Sequence, residues 1–175
     1  KIMSLEKVID QLAVTEQDQH LTFDLAGEEL AVPVLHIREI IRYGKLTHMP
    51  MVPEFIEGVI NLRGSVVPVI NLSVKLGLKK IEADKRTCII ILEMDVGTES
   101  VVMGVVVDRV LQVIVIPESE IEPSPKLGAN IQTNFIHGMA RIEDGFIIIL
   151  DISKVLSVEE IAMVSDMHQT TETEN

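Results

Sequence analysis

Tryptophan is absent from the chain, tyrosine occurs once and phenylalanine four times. With so few rings, 175 residues must fill their interior with Val, Ile and Leu, and a hydrophobic content of 47% supplies them amply. Cysteine is nearly absent as well. Cys88 alone excludes an internal disulfide and makes a reducing compartment the default, and its place in the apolar stretch CIIIL reads as a buried, inert thiol. Positive charge is in deficit, with 15 Lys and Arg against 27 Asp and Glu, and no basic cluster interrupts the net charge of −12. Such a surface repels phosphate backbones and anionic lipid, which excludes nucleic acid as a partner. The longest apolar runs, such as 146–150 and 105–107, fall far short of the ~20 residues of a spanning helix. No basic segment followed by an apolar one opens the chain, so neither a secretory signal nor membrane insertion is expected.

Signatures of reactive sites are lacking too. The five histidines, at 20, 36, 48, 137 and 168, show no HxH, HExxH or Cys/His spacing, so no metal site is expected. There is no GxSxG, no glycine-rich phosphate loop and no GxGxxG, which leaves a nucleotide enzyme unsupported and calls for no cofactor. The adjacent acids Glu28/Glu29, Glu143/Asp144 and Glu159/Glu160 fall in turns or at helix starts, where solvation and capping account for them. A chain this apolar without a visible reactive site points toward binding.

What is present is a succession of short apolar runs. Residues 4–14 place Leu5, Val8, Ile9 and Leu12 on one helical face behind Ser4. From Leu21 the texture becomes β-rich: LTFDL and LAVPVL flank a Gly27-containing turn as a hairpin, with Pro33 pointing to an edge or a bulge. Further strands are expected at 65–70, 86–94, 100–107 and 145–150, and Ser157 with Glu160 reads as a capping box opening a helix before an acidic tail. The class is all-β with short helices, in a barrel or sandwich.

The chain also repeats itself. Sliding it by 80 places lays FIEG (55–58) on FIHG (135–138) and NLSVKL (71–76) on DISKVL (151–156); sliding it by 73 lays AVPVLHIREII (31–41) on GVVVDRVLQVI (104–114). Asn71 and Asp151 are then equivalent N-caps. Each half is too short to bury a generous core alone, so the two must share one. The linking loops differ, GKLTHMPMVPE in one half and the longer, more acidic PESEIEPSPKLGANIQTN in the other.

Within this frame Arg63, in NLRG, has two readings: a planar fork displayed at a turn to pair a partner's carboxylate, or a strand end whose stem lies on apolar neighbours. Its counterpart in the second half is Glu143 or Asp144, so the repeated scaffold does not itself require an arginine, which favours the contact reading. Glu39, in HIREI, carries the same two readings: a solvated face, or an acidic rim beside an apolar anchor.

LAVPVLHIREI, MPMVPEFIEGVINLRGSVVPVINL, GVVVDRVLQVI and FIHGMARIEDGFIIILDISKVL together resemble the CheW-type domain, the coupling module of bacterial chemotaxis, over residues 20–160. The resemblance implies two intertwined, five-stranded SH3-like β-barrels sharing an apolar core, with N- and C-terminal helices. It divides the chain into an N-terminal helix and linker (1–20), the domain itself (21–160, repeats at about 21–80 and 86–156, strands exchanged between barrels) and a closing helix end and tail (161–175). It also implies a cytoplasmic, non-catalytic adaptor, recruited to receptor arrays, that bridges the cytoplasmic tip of chemoreceptors to the regulatory domain of the histidine kinase CheA. By motif, Ile37, Glu39, Arg63 and Val113 fall at partner-contact positions, and Gly58, Gly104 and Gly138 at structural turns near the interfaces. Two alternatives stand beside this: a CheW-like module of a CheV-type, receiver-regulated scaffold, and, from a different class, a β-barrel that binds a small molecule.

Overall fold

The computed structural model describes residues 3–12, 17–96, 98–123, 133–143, 145–157, 159–164 and 166. Helix α1 (Leu5–Leu12) is followed by strands β1 (Gln19–Leu25), β2 (Glu28–Pro33), β3 (Ile37–Arg42), β4 (Ile56–Leu62) and β5 (Ser65–Asn71), then a single helical turn, α2 (Leu72–Lys75). The second half supplies β6 (Cys88–Val96), β7 (Glu99–Val107), β8 (Arg109–Val115), β9 (Ile121–Glu122), β10 (Ile136–Ile142) and β11 (Gly145–Leu150). Residues 159–164 are helical. Their start is the expected capping box: the Glu160 N–H donates to Ser157 Oγ at 3.1 Å and the Ser157 N–H to Glu160 Oε1 at 2.8 Å.

The strands form two sheets, and each is assembled from both halves of the chain. One has the order β8-β1-β2-β11-β10-β9, the other β3-β6-β7-β5-β4. The β1–β2 hairpin of the first half therefore lies in a sheet otherwise built by the second, and the β6–β7 hairpin of the second half in a sheet otherwise built by the first. Each exchanged hairpin is joined to its host sheet by an antiparallel ladder on one side, β1 to β8 and β6 to β3, and by a short parallel ladder on the other, β2 to β11 and β7 to β5.

Strand alternation divides the apolar residues into three clusters. On β6, Ile90 and Leu92 face a large core shared with the other sheet, whose contribution includes Leu21, Phe23, Leu30 and Leu150. Ile89 and Ile91 face the opposite way, with Ile60, Val67, Val69 and Val106. The other sheet has its own second cluster in Ala31, Ala140, Ile147 and Ile149. A sheet buried on both faces, with one face enclosing only its own residues, is a rolled sheet. Its closure is visible in Thr47, which leaves β3 at one edge and exchanges two 2.9 Å backbone hydrogen bonds with Val59 on β4 at the other. The second half repeats the device, pairing Ile121 and Glu122 with Ala140 and Met139. Because that contact spans two residues, it counts as a strand, and this sheet has six strands instead of the expected five.

Pro33 does not mark an edge. Strand β2 is internal, but its ladder to β11 involves only Leu30 and Ala31, so the proline at its end removes no ladder bond. Nor do the three motif glycines lie in turns. Gly104 is in the middle of β7, opposite Val69 and Ile91. Gly58 and Gly138 sit at bulges in β4 and β10, where an added Cβ would come within 2.5 Å of the Thr47 carbonyl oxygen and 2.6 Å of the Glu122 carbonyl oxygen. Each is glycine because the closing segment of its sheet passes directly over it.

Candidate functional site

The β4–β5 hairpin turns through two residues, Arg63 and Gly64, both with positive φ (51° and 89°) between the paired Leu62 and Ser65. This is the tight turn whose twist suits a hairpin, and its first position ordinarily takes Asn, Asp or Gly. The Asn61 side chain steadies it by accepting from the Gly64 N–H at 2.9 Å. An arginine in the left-handed region costs about 1 kcal/mol of backbone strain, so its presence asks for a reason beyond the turn.

The side chain supplies one. Arg63 reaches across the rolled sheet to Glu39 on β3, its two terminal nitrogens donating to the two carboxylate oxygens, Nη1 to Oε1 at 3.2 Å and Nη2 to Oε2. The turn and β3 belong to opposite edges of the sheet, so only closure brings them together. Hydrogen bonding from Arg63 holds the Glu39 carboxyl below its usual range, against the smaller opposing effect of burial. The pair is unequal: the Arg63 side chain is 69% exposed and that of Glu39 24%. The Arg63 fork is displayed at the turn and, within the chain, pairs the Glu39 carboxylate.

Ile37 begins β3, half-buried against the shared core. It borders a cleft of about 450 Å³ with Leu35 from the turn before β3, Arg38 of β3, Glu93, Met94 and Asp95 of β6, and Asp151 and Ser153 from the corner after β11. The cleft thus lies where the two sheets meet. The β3 ladder shifts register between Ile37 and Glu39, and Arg38 at that irregularity borders both this cleft and a smaller hollow shared with Leu62 and Arg63. Ile37, Arg38, Glu39 and Arg63 form one continuous surface. Leu35, 77% exposed just before it, and Arg38 escaped the sequence reading; an apolar residue immediately ahead of HIREI was the available signal.

Val113 stands apart. It lies on β8, an edge strand of the other sheet, half-buried against the shared core and outside the cleft. The long second loop and Asp144 lie mostly or wholly outside the described residues. No described helix is long and apolar enough to cross a membrane.

Two rolled sheets that trade hairpins around one core, with a paired Arg and Glu beside an inter-sheet cleft, define a duplicated β-module. The model of the CheW-like domain matches residues 19–160. The chain is 35% identical to the chemotaxis protein CheW of Klebsiella aerogenes over 87% of its own length and 90% of the relative's. It is 33% identical to the protein FrzA of Myxococcus xanthus, covering 88% and 94% respectively. The crystal structure of the scaffolding protein TtCheW from Thermoanaerobacter tengcongensis superposes with a TM-score of 0.73 at 35% identity, over 84% of this chain and 92% of that one. The chain belongs to the CheW-like domain family.

Proposed function

We propose that this protein is a non-catalytic adaptor of chemotaxis signalling, working in the cytoplasm at receptor arrays, that couples chemoreceptors to the regulatory domain of the kinase CheA. In this reading the cleft between the sheets takes an apolar receptor helix, one sheet end docks on the kinase domain, and receptor movement passes through the assembly. The observation that carries it is Arg63: a strained, exposed arginine at a hairpin tip, paired with Glu39 and continuous, through Arg38, with the inter-sheet cleft where Leu35, Ile37 and Met94 lie among charged neighbours. The pair fixes the orientation of two charges beside a mixed surface of a few apolar and several charged groups, the arrangement of a modest-affinity interface. Many such contacts in an array supply the avidity.

The aliphatic filling of both sheet interiors, Ile60 and Val67 in one and Ile147 and Ile149 in the other, argues against the alternative of a small molecule held inside a barrel.

The test is co-purification of the protein with a chemoreceptor cytoplasmic-tip fragment and the CheA regulatory domain, alone and with Arg63→Ala or Glu39→Ala. The expected result is unchanged thermal unfolding with weakened capture of at least one partner. Early unfolding of both variants, or full capture by both, would overturn the assignment of these residues; no capture by the unaltered chain would overturn the adaptor reading.

A further inference from the structure

The first half carries Arg63 at the first position of the β4–β5 turn, between the paired Leu62 and Ser65; the second carries Glu143 at the same position of the β10–β11 turn, between the paired Ile142 and Gly145. Equivalent ends of the two sheets therefore show opposite charges. What gathers around Glu143 differs as well. Three of the four phenylalanines, Phe23, Phe55 and Phe135, are buried, but Phe146 is 46% exposed, and Val115 and Ile142 are exposed with it. Ile142 and Phe146 border a hollow of about 590 Å³, and Ile142 borders a second, of about 490 Å³, with Val115. Neither hollow shares a residue with the inter-sheet cleft. Exposed apolar residues scattered singly are ordinary, whereas a contiguous set rimmed by charge marks a contact surface.

The rim is acidic. Its two cations are already engaged, Arg109 with Asp24 at 3.2 Å and Arg141 with Glu122 at 2.9 Å. Glu28, Glu29 and Glu143 at the first hollow and Glu120 at the second make no ion pair among the described residues. Burial and the neighbouring Asp24 push the Glu29 carboxyl up from its ordinary 4.5, a strain that an added cation would relieve. A twofold dimer through this patch would set carboxylates against their own copies. Nucleic acid and anionic lipid would meet the same repulsion.

We propose that the patch of Val115, Ile142 and Phe146 is a docking surface for a partner protein's segment in which apolar side chains stand between lysines or arginines. The apolar groups fill the two hollows and the cations pair the surrounding glutamates. This contact is independent of the coupling reading and has the opposite charge preference to the turn at Arg63.

The test is fluorescence anisotropy with a labelled synthetic peptide of two leucines flanked on each side by two lysines, against the same peptide with glutamates for lysines. A chain of net charge −12 attracts any polycation to some degree, so the variants decide. Phe146→Ser is expected to unfold at the same temperature as the unaltered chain and to bind the lysine peptide at least tenfold more weakly. Glu28→Gln with Glu143→Gln should weaken binding more than the equal loss of charge in Glu82→Gln with Glu99→Gln, at exposed positions outside both hollows. Hydrogen exchange of the unaltered chain, which needs no variant to fold, should slow in β10 and β11 when the lysine peptide is bound. Absence of binding, equal binding by Phe146→Ser, equal effects of the two glutamine pairs, unchanged exchange in β10 and β11, or equal binding of the glutamate peptide overturns the proposal. Sedimentation showing that the chain alone dimerises, and that Phe146→Ser abolishes the dimer, overturns it in favour of a second copy as the occupant.

Discussion

Lys75 donates to both carboxylate oxygens of Glu160 at 2.8 Å each, although the two residues stand at the ends of different halves. The same ammonium lies 4.9 Å from the centre of the Phe55 ring and 5.8 Å from that of Phe135. These phenylalanines occupy equivalent corners, their carbonyls accepting from the Asn71 and Asp151 N–H groups at 2.6 and 2.9 Å. One cation thus ties the closing helix to matching points of both repeats.

Because Lys75 and Glu160 are only 16% and 22% exposed, breaking the pair should matter. Lys75→Met is expected to cost about 2 kcal/mol, or roughly 4–8 °C in unfolding midpoint for a chain of this size. Burial pushes the Glu160 carboxyl up, but the Lys75 ammonium and the Ser157 N–H more than reverse it, leaving the group below its ordinary 4.5. Its stabilisation is therefore complete above 4.5 and is lost as pH falls through the lowered value. Thermal unfolding scanned from neutral to acid should show a shallower decline in Lys75→Met than in the unaltered chain.

The two N-caps should respond differently to exchanging Asn and Asp. Asn71 is 1% exposed, its Oδ1 accepting from Ser73 Oγ at 2.6 Å and the Val74 N–H at 3.3 Å. Asp151, at a half-exposed corner, accepts likewise from the Ser153 hydroxyl but takes the Ser153 N–H, two residues on, where Asn71 takes the N–H three residues on. Asn71→Asp buries a charge and is expected to cost about 1–3 kcal/mol at neutral pH, recovered in mild acid as the carboxyl protonates. Asp151→Asn should stay within about 0.5 kcal/mol. Urea midpoints at both pH values distinguish the two.

Alanine at the motif glycines should rank by what the new methyl meets. Gly58→Ala and Gly138→Ala drive it into carbonyl oxygens of the closing segments, whereas at Gly104 its nearest neighbour is the Ile89 side chain, at 2.7 Å. The first two are expected to lose about 2–4 kcal/mol and the third about 1 kcal/mol. Denaturant unfolding with Gly104→Ala as the most destabilised of the three would contradict the packing.

Cys88 is 3% exposed, and burial pushes its thiol up from an ordinary 9.0. A soluble disulfide reagent should leave the folded chain unmodified and titrate one thiol after unfolding in urea. Rapid reaction in the native state would contradict its burial.

Much of the fold was legible where apolar runs are unbroken: the run at 145–150 is β11 to the residue, and those at 65–70 and 100–107 are β5 and β7 within one position. Strands β4 and β10 read less clearly because Gly58 and His137 interrupt the apolar pattern, and each interruption lies at the bulge that lets its sheet close. The motif residues Ile37, Glu39 and Arg63 were identifiable, but the bond between Glu39 and Arg63 was not. It exists only because opposite edges of a sheet are rolled together, a property of topology and not of spacing. Lys75 and Glu160 were hidden for the same reason.

The exchange of hairpins also sets an order of events for the nascent chain. Leu30 and Ala31 on β2 find their parallel partners only in Ile148 and Ile149, near the far end of the sequence. At ribosomal rates of about 5–20 residues per second, the first hairpin waits seconds with both edges unpaired, its β1 side until β8 emerges and its β2 side longer still, until β11 does. Contacts this distant in sequence predict slow folding and make the N-terminal hairpin the segment most exposed to aggregation or to a holding chaperone before the chain is finished.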